Sequence, residues 1–159
     1  MSEHTILLIT TADNHVRTQL DNIYGDALIV ADCEELSRDD LYTLLCSTRY
    51  DILITYRCRY IIPSDILSSS TVAINIHPSL LPAYAGLNPW DEMAENNETM
   101  GGVTLHRLTS DIDKGEILMQ HPLRLDMAKG IEWNRKNADR LAAEMLSSFI
   151  ESFTKDISQ

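Results

Sequence analysis

Apolar residues recur along this chain with two periods. Residues 6–10, 27–31, 51–55 and 72–77 are short apolar runs, each of the length and β-branched character of a buried strand. Between the first two, Val16, Leu20, Ile23 and Tyr24 fall at helical spacing before Gly25. Ser37 followed by Asp40 resembles a capping box opening a helix that buries Leu41, Leu44 and Leu45. Strand and helix signals therefore alternate, which predicts an α/β fold with a single doubly wound, mostly parallel, right-handed sheet.

The second half changes pattern. Asn88-Pro89-Trp90-Asp91-Glu92 is a helix start, with a capping residue, proline at the first position and acids in the first turn; the helix should end near Asn96 or Asn97. Residues 102–106 alternate as a strand, with Thr104 and His106 on one face, and another strand begins at residues 116–119 across the 111–115 loop. Such a hairpin-like pair would close the sheet. Leu141, Met145, Leu146, Phe149, Ile150 and Phe153 mark a final amphipathic carboxyl-terminal helix. No repeat, low-complexity tract or linker is visible, so residues 1–159 are expected to form one compact domain.

Composition narrows the partners. A formal charge of −11 repels nucleic acid at long range unless a local basic patch intervenes, and Arg57 with Arg59 is one small candidate. No nucleic-acid partner is expected. Neither is a membrane, because no apolar run approaches the roughly 20 residues that span a bilayer. Met1-Ser2-Glu3-His4-Thr5 lacks the character of a secretory signal, so a cytoplasmic location is the default. Cys33, Cys46 and Cys58 are odd in number and widely spaced, which fits reduced thiols. The oligomeric state is not written in the sequence.

The chemistry concentrates at the fourth apolar run. Side chains two apart on a strand face the same way, so Asn75 and His77 emerge side by side, and Pro78 keeps His77 extended near the carboxyl end of the strand. Open α/β sheets bind ligands there. His106 on another strand and Asp113 on the glycine-containing loop beside it converge by spacing. A lone buried histidine is ordinarily a hydrogen-bonded core residue, and aspartates before a glycine are ordinarily turn formers; their combination with Asn75 shifts the balance toward acyl transfer. The Asn75 amide can donate to a developing oxyanion, a contact that carries about 10²–10³ in rate in other enzymes. His77 can move a proton, and Asp113 can orient His77, hold a water or raise the imidazole pKa.

These residues resemble a known family. Asn75-Ile76-His77-Pro78-Ser79-Leu80-Leu81-Pro82, followed by Tyr84 and Gly86, and later Asp113 and Gly115 within residues 110–117, are similar to the signature of the folate-dependent formyltransferases, which include glycinamide ribonucleotide, methionyl-tRNA and sugar N-formyltransferases. Gly102-Val103-Thr104-Leu105-His106 and Arg59-Tyr60-Ile61-Ile62-Pro63 fit the same family, and the likeness is close over residues 50–125. It implies a Rossmann-like formyltransferase fold and transfer of formyl from 10-formyltetrahydrofolate to an amine. By the same resemblance Asn75, His77 and Asp113 are the catalytic set, and Arg59, Ile61, Ile62, Asp111 and Ile112 are folate contacts. Thr104 and His106 would line the cleft, holding the water or the incoming amine. No metal is expected.

Departures from the family pattern bear on the acceptor. Thr10-Thr11-Ala12-Asp13-Asn14 is not the glycine- and serine-rich loop that cradles a nucleotide phosphate. The chain stops soon after its last helix and is acidic, so tRNA is not expected either. Gly86-Leu87-Asn88-Pro89-Trp90 is closest to the sugar branch, whereas Ala85 stands where the family often has a basic residue. The expectation is a small-molecule amine, such as an amino sugar or an amino acid derivative. Three rivals remain: a formyltetrahydrofolate hydrolase using the same three residues, an inactive folate-binding or regulatory module, and a zinc site built from His77, His106 and Asp113. His77-Pro78 favours transfer over hydrolysis, and no short ligand spacing supports zinc.

Overall fold

In the computed structural model, which describes residues 4–12, 14–69, 72–111 and 113–157, the apolar runs are the strands of one six-stranded sheet. β1 (Ile6–Thr10), β2 (Leu28–Asp32), β3 (Ile52–Thr55) and β4 (Val72–His77) are parallel; β5 (Met100–Arg107) and β6 (Ile117–Arg124) are an antiparallel hairpin beside β4. The spatial order is β2-β1-β3-β4-β5-β6. The chain thus turns from one side of β1 to the other between β2 and β3, and that reversal leaves a crevice at the strand ends.

Among the described residues five α-helices cover the sheet: α1 (His15–Tyr24), α2 (Arg38–Ser47), α3 (Ser64–Ser69), α4 (Pro89–Glu95) and α5 (Ile131–Ile157). The alternation within β1 assigns them to faces. Ile6 and Leu8 pack with Val16 and Leu20 of α1, Met93 of α4 and Leu146 of α5, while Leu7 and Ile9 pack with Leu41 and Leu45 of α2 and Ile66 of α3. Both sides of the strand are covered, which is why β1 reads as a continuous apolar run instead of an alternating one. Its four apolar residues are fully buried, and at roughly 1.5–3 kcal/mol for each such side chain they anchor both cores.

The elements follow the sequence with informative exceptions. Ser37 accepts from the Asp40 N–H at 3.0 Å, as the cap signal predicts. Asn88 does precede α4, yet its side chain makes no cap hydrogen bond. α5 begins ten residues before Leu141, at Ile131, because its first turns are anchored by polar groups: buried Asn134 accepts from Asp126 N–H at 2.9 Å and donates to Asp126 O and Gly130 O at 2.9 and 2.7 Å. The short α3 carried no periodic signal; Ile66 and Leu67 both donate to Pro63 O. Among the described residues no helix is long and apolar enough to cross a membrane.

Candidate active site

β4 ends at His77, and its antiparallel register with β5 sets Asn75 opposite His106 and His77 opposite Thr104. The parallel register with β3 sets Thr55 beside Asn75. Three adjacent strands therefore bring polar side chains together at one place. A cavity of about 660 Å³ opens there, within the roughly 300–1,000 Å³ of ordinary small-molecule sites.

Hydrogen bonds lock the set together. Thr55 Oγ1 donates to Asn75 Oδ1 at 2.7 Å, turning the Asn75 nitrogen toward His106 Nε2, 3.0 Å away. His106 Nδ1 lies 3.0 Å from Arg107 O, and a carbonyl only accepts, so the His106 proton sits on Nδ1 and Nε2 accepts from Asn75. His77 is set by the same logic. Its Nε2 is 2.7 Å from Tyr84 O, which places the proton on Nε2 and the lone pair on Nδ1.

Asp113 joins the two rings. Its Oδ2 is 3.4 Å from His77 Nδ1 and its Oδ1 is 3.4 Å from His106 Nε2, while Oδ2 also accepts from Gly86 N–H at 2.8 Å. The carboxylate is 5% exposed, and Asp113 adopts φ 56°, a left-handed turn conformation that aims the side chain inward. Gly115 makes this loop possible: a Cβ there would stand 1.7 Å from Arg107 O. Burial lowers the His77 pKa below its ordinary value, against the Tyr84 hydrogen bond and the Asp113 charge, with the nearby His106 adding to the effect. For Asp113 burial acts upward but is outweighed by the His106 ring, the Gly86 N–H and the charge of His77, leaving the carboxyl below its ordinary value. The site thus pairs a neutral imidazole with an ionised carboxylate.

Of the residues expected to contact folate, Arg59, Ile61, Ile62 and Asp111 all line the cavity; Ile112 lies outside the described residues. Ile61 is 53% exposed at the mouth, whereas Ile62 is 2% exposed and also packs against Leu41 and Ile66. His106 lines the cavity as well. Thr104 is the correction. It shares the face of His77, but it is fully buried away from the cavity wall, because its hydroxyl donates to Ser79 O at 2.6 Å and accepts from Leu81 N–H and Gln120 Nε2 at 3.1 and 3.0 Å. Thr104 shapes the proline turn that carries Tyr84.

Several participants were not assigned to the site from sequence. Thr55 orients Asn75, and a polar residue ending an apolar strand was the available signal. Arg57, half of the expected basic patch, is not a free cation: its Nη2 lies 2.9 Å from both Asp139 oxygens, and Tyr56 donates its hydroxyl to the same carboxylate. This clasp ties the loop after β3 to α5. Arg135 and Trp90 also line the cavity. Among the described residues no group of three or more His, Cys, Asp or Glu side chains is arranged to hold a metal ion.

Comparison with known proteins places this geometry in context. The profile of the formyl transferase family matches residues 7–148. Methionyl-tRNA formyltransferase of Thermotoga maritima is 32% identical over 119 residues, which take in 74% of this chain and 38% of that protein. The chain therefore spans well under half the length of the curated relatives it matches first. Phosphoribosylglycinamide formyltransferase from Anaplasma phagocytophilum shares the fold with a TM-score of 0.79 at 17% identity, covering 97% of this chain and 88% of that one. HypX from Aquifex aeolicus, solved in complex with tetrahydrofolic acid, gives a TM-score of 0.83 at 19% identity over 97% of this chain and 27% of that one. With a family profile that runs from β1 into α5, and a T. maritima relative aligned over three-quarters of the sequence, this chain belongs to the formyl transferase family.

Proposed function

We propose that this chain moves a formyl group from 10-formyltetrahydrofolate to the amino group of a small molecule. The observation that carries the reading is the tautomer of His77. With its proton held by Tyr84 O, the ring offers a lone pair on Nδ1, beside an ionised carboxylate and within the same cavity as the Asn75 amide.

The donor supplies the activated formyl carbon. His77 Nδ1 takes the proton that the attacking amine loses and returns it to the departing folate nitrogen, so the imidazole ends as it began and the products are an N-formyl amine and tetrahydrofolate. Asp113 stabilises the transient imidazolium across 3.4 Å. Asn75 has one N–H committed to His106 and a second for the oxygen that gains charge. Arg59, Ile61, Ile62 and Asp111, together with Ile112, are assigned to the folate.

The charge of −11 and the absence of a phosphate-type loop at residues 10–14 favour a small amine. The test incubates the protein with 10-formyltetrahydrofolate and a panel of amino sugars, amino acid derivatives and methionyl-tRNA while following tetrahydrofolate release. Release that depends on one small amine is the expected result. Release without any amine would identify a hydrolase, and response to methionyl-tRNA alone would overturn the acceptor class.

A further inference from the structure

The carbonyl that fixes the His77 tautomer belongs to a residue held from outside the site. Within the turn after β4 four other carbonyls have partners of their own: Ser79 O accepts from Thr104, Leu80 O from Ala83 N–H, Leu81 O from Gln120 and Ala83 O from Ser79. Tyr84 O alone among these turns to the imidazole, at 2.7 Å. Tyr84 has φ 54°, the left-handed region that a tyrosine rarely adopts, so something must hold it. Its ring packs against the larger apolar core, and its hydroxyl adds a polar handle. It donates to Glu98 Oε2 at 2.7 Å and accepts from Asn96 Nδ2 at 3.1 Å. Glu98 is itself fixed, its N–H donating to Met93 O of α4 at 3.0 Å.

Two acceptors compete for the single proton of neutral His77. Tyr84 O faces Nε2 at 2.7 Å, and the Asp113 carboxylate faces Nδ1 at 3.4 Å. Were the carbonyl to draw back, the proton would move to Nδ1 against Asp113, and the basic lone pair would turn to Nε2, away from the carboxylate that stabilises the imidazolium. We propose that the hydrogen bond between the Tyr84 hydroxyl and Glu98 is a latch that keeps the Tyr84 carbonyl on His77 Nε2 and so selects Nδ1 as the basic nitrogen. Tyr84 and Glu98 are positioning residues, acting through His77. The catalytic meaning of the latch rests on the formyl-transfer reading; its structural content does not.

The direct probe is nitrogen NMR of the whole protein labelled with ¹⁵N-histidine, at mildly alkaline pH, with His77 assigned by the signals lost in His77→Gln. In the wild type Nε2 should be protonated and Nδ1 bare. Tyr84→Phe removes the handle and Glu98→Ala removes its anchor; in both, the His77 proton should move predominantly to Nδ1. Glu98→Gln keeps an oxygen for the hydroxyl and should retain the wild-type pattern. Kinetics with 10-formyltetrahydrofolate and hydroxylamine as surrogate acceptor should show kcat about tenfold lower in the first two variants, as expected when most molecules hold the base in the wrong tautomer, with KM for the donor unchanged and Glu98→Gln normal. A wild-type ring protonated on Nδ1, or a Tyr84→Phe ring with the wild-type tautomer, would overturn the latch. Absence of turnover by the wild type would instead count against formyl transfer, and the tautomer result would still decide the latch.

Discussion

Asn75 and His106 face each other across β4 and β5, and the amide nitrogen of Asn75 donates to His106 Nε2 at 3.0 Å. With Thr55 holding the amide oxygen at 2.7 Å, the Asn75 side chain has no freedom to rotate, and its remaining N–H is a pre-oriented donor on the cavity wall.

Replacing this donor should cost rate and little else. Asn75→Ala is expected to lower kcat for formyl transfer by about 10²–10³ with donor affinity nearly unchanged, the behaviour of a group that contacts the oxygen only as charge develops. Thr55→Val, which frees the amide without removing it, should fall between Asn75→Ala and the wild type. Steady-state kinetics on the two variants decides; equal loss of kcat and donor affinity in Asn75→Ala would assign the side chain to binding.

The buried imidazole sets the pH profile. Because His77 must be neutral to accept a proton and its pKa in the free protein lies below the ordinary 6.5, kcat/KM should stay level at neutral pH and fall on the acid side only below 6.5. Stability moves in the same direction. As pH drops from 6.5 toward the folded-state value, the unfolded chain binds the His77 proton first and is favoured; Asp113, lowered from 3.8, adds a loss of the same sign at still lower pH. Urea unfolding against pH should show stability declining toward acid, with the decline near pH 6 reduced in His77→Gln. An acid limb of kcat/KM above 6.5 would contradict the assignment of this residue as the base.

Much of this arrangement was legible because strands declare themselves by period. The two-residue spacing of Asn75 and His77 needs only alternation, and β1 and β4 have the boundaries that their apolar runs predict. Thr104 shows the limit of that reading: the period gives its face, while the capture of its hydroxyl by Ser79 O and Gln120 depends on residues 25 and 16 positions away in sequence. The start of α5 was hidden for a related reason. Its buried positions include Asn134 and Asp139, polar residues that are inside because they bind Asp126 and Arg57, so no apolar stripe marks them.

The Tyr56–Asp139–Arg57 clasp should be a structural element. Asp139→Ala removes the acceptor of a buried tyrosine hydroxyl and the partner of a guanidinium that is 27% exposed, for an expected loss of about 2–4 kcal/mol. Tyr56→Phe, which removes the hydroxyl and leaves the ion pair, should cost about 1 kcal/mol. Urea denaturation of the two variants checks the order; an unchanged midpoint for Asp139→Ala would show that the pair contributes nothing.

Gly115 separates activity from folding. A methyl group there meets Arg107 O at 1.7 Å, so the loop carrying Asp113 must shift even if the sheet is intact. Gly115→Ala is expected to lower kcat/KM at least about tenfold, since a displacement near 1 Å is costly to a pre-oriented group. Circular dichroism should still report a folded sheet, and wild-type kinetics in this variant would mean that the placement of Asp113 does not matter.

The central claim, transfer of formyl through His77, is tested most directly by following a ¹³C-formyl label from 10-formyltetrahydrofolate in the presence of the active amine, with the wild type and His77→Ala in parallel. The label should appear in the N-formyl product in step with tetrahydrofolate release, and His77→Ala should lower this rate by about 10² or more. Label collecting in formate regardless of the amine, or equal rates in the two proteins, would contradict it.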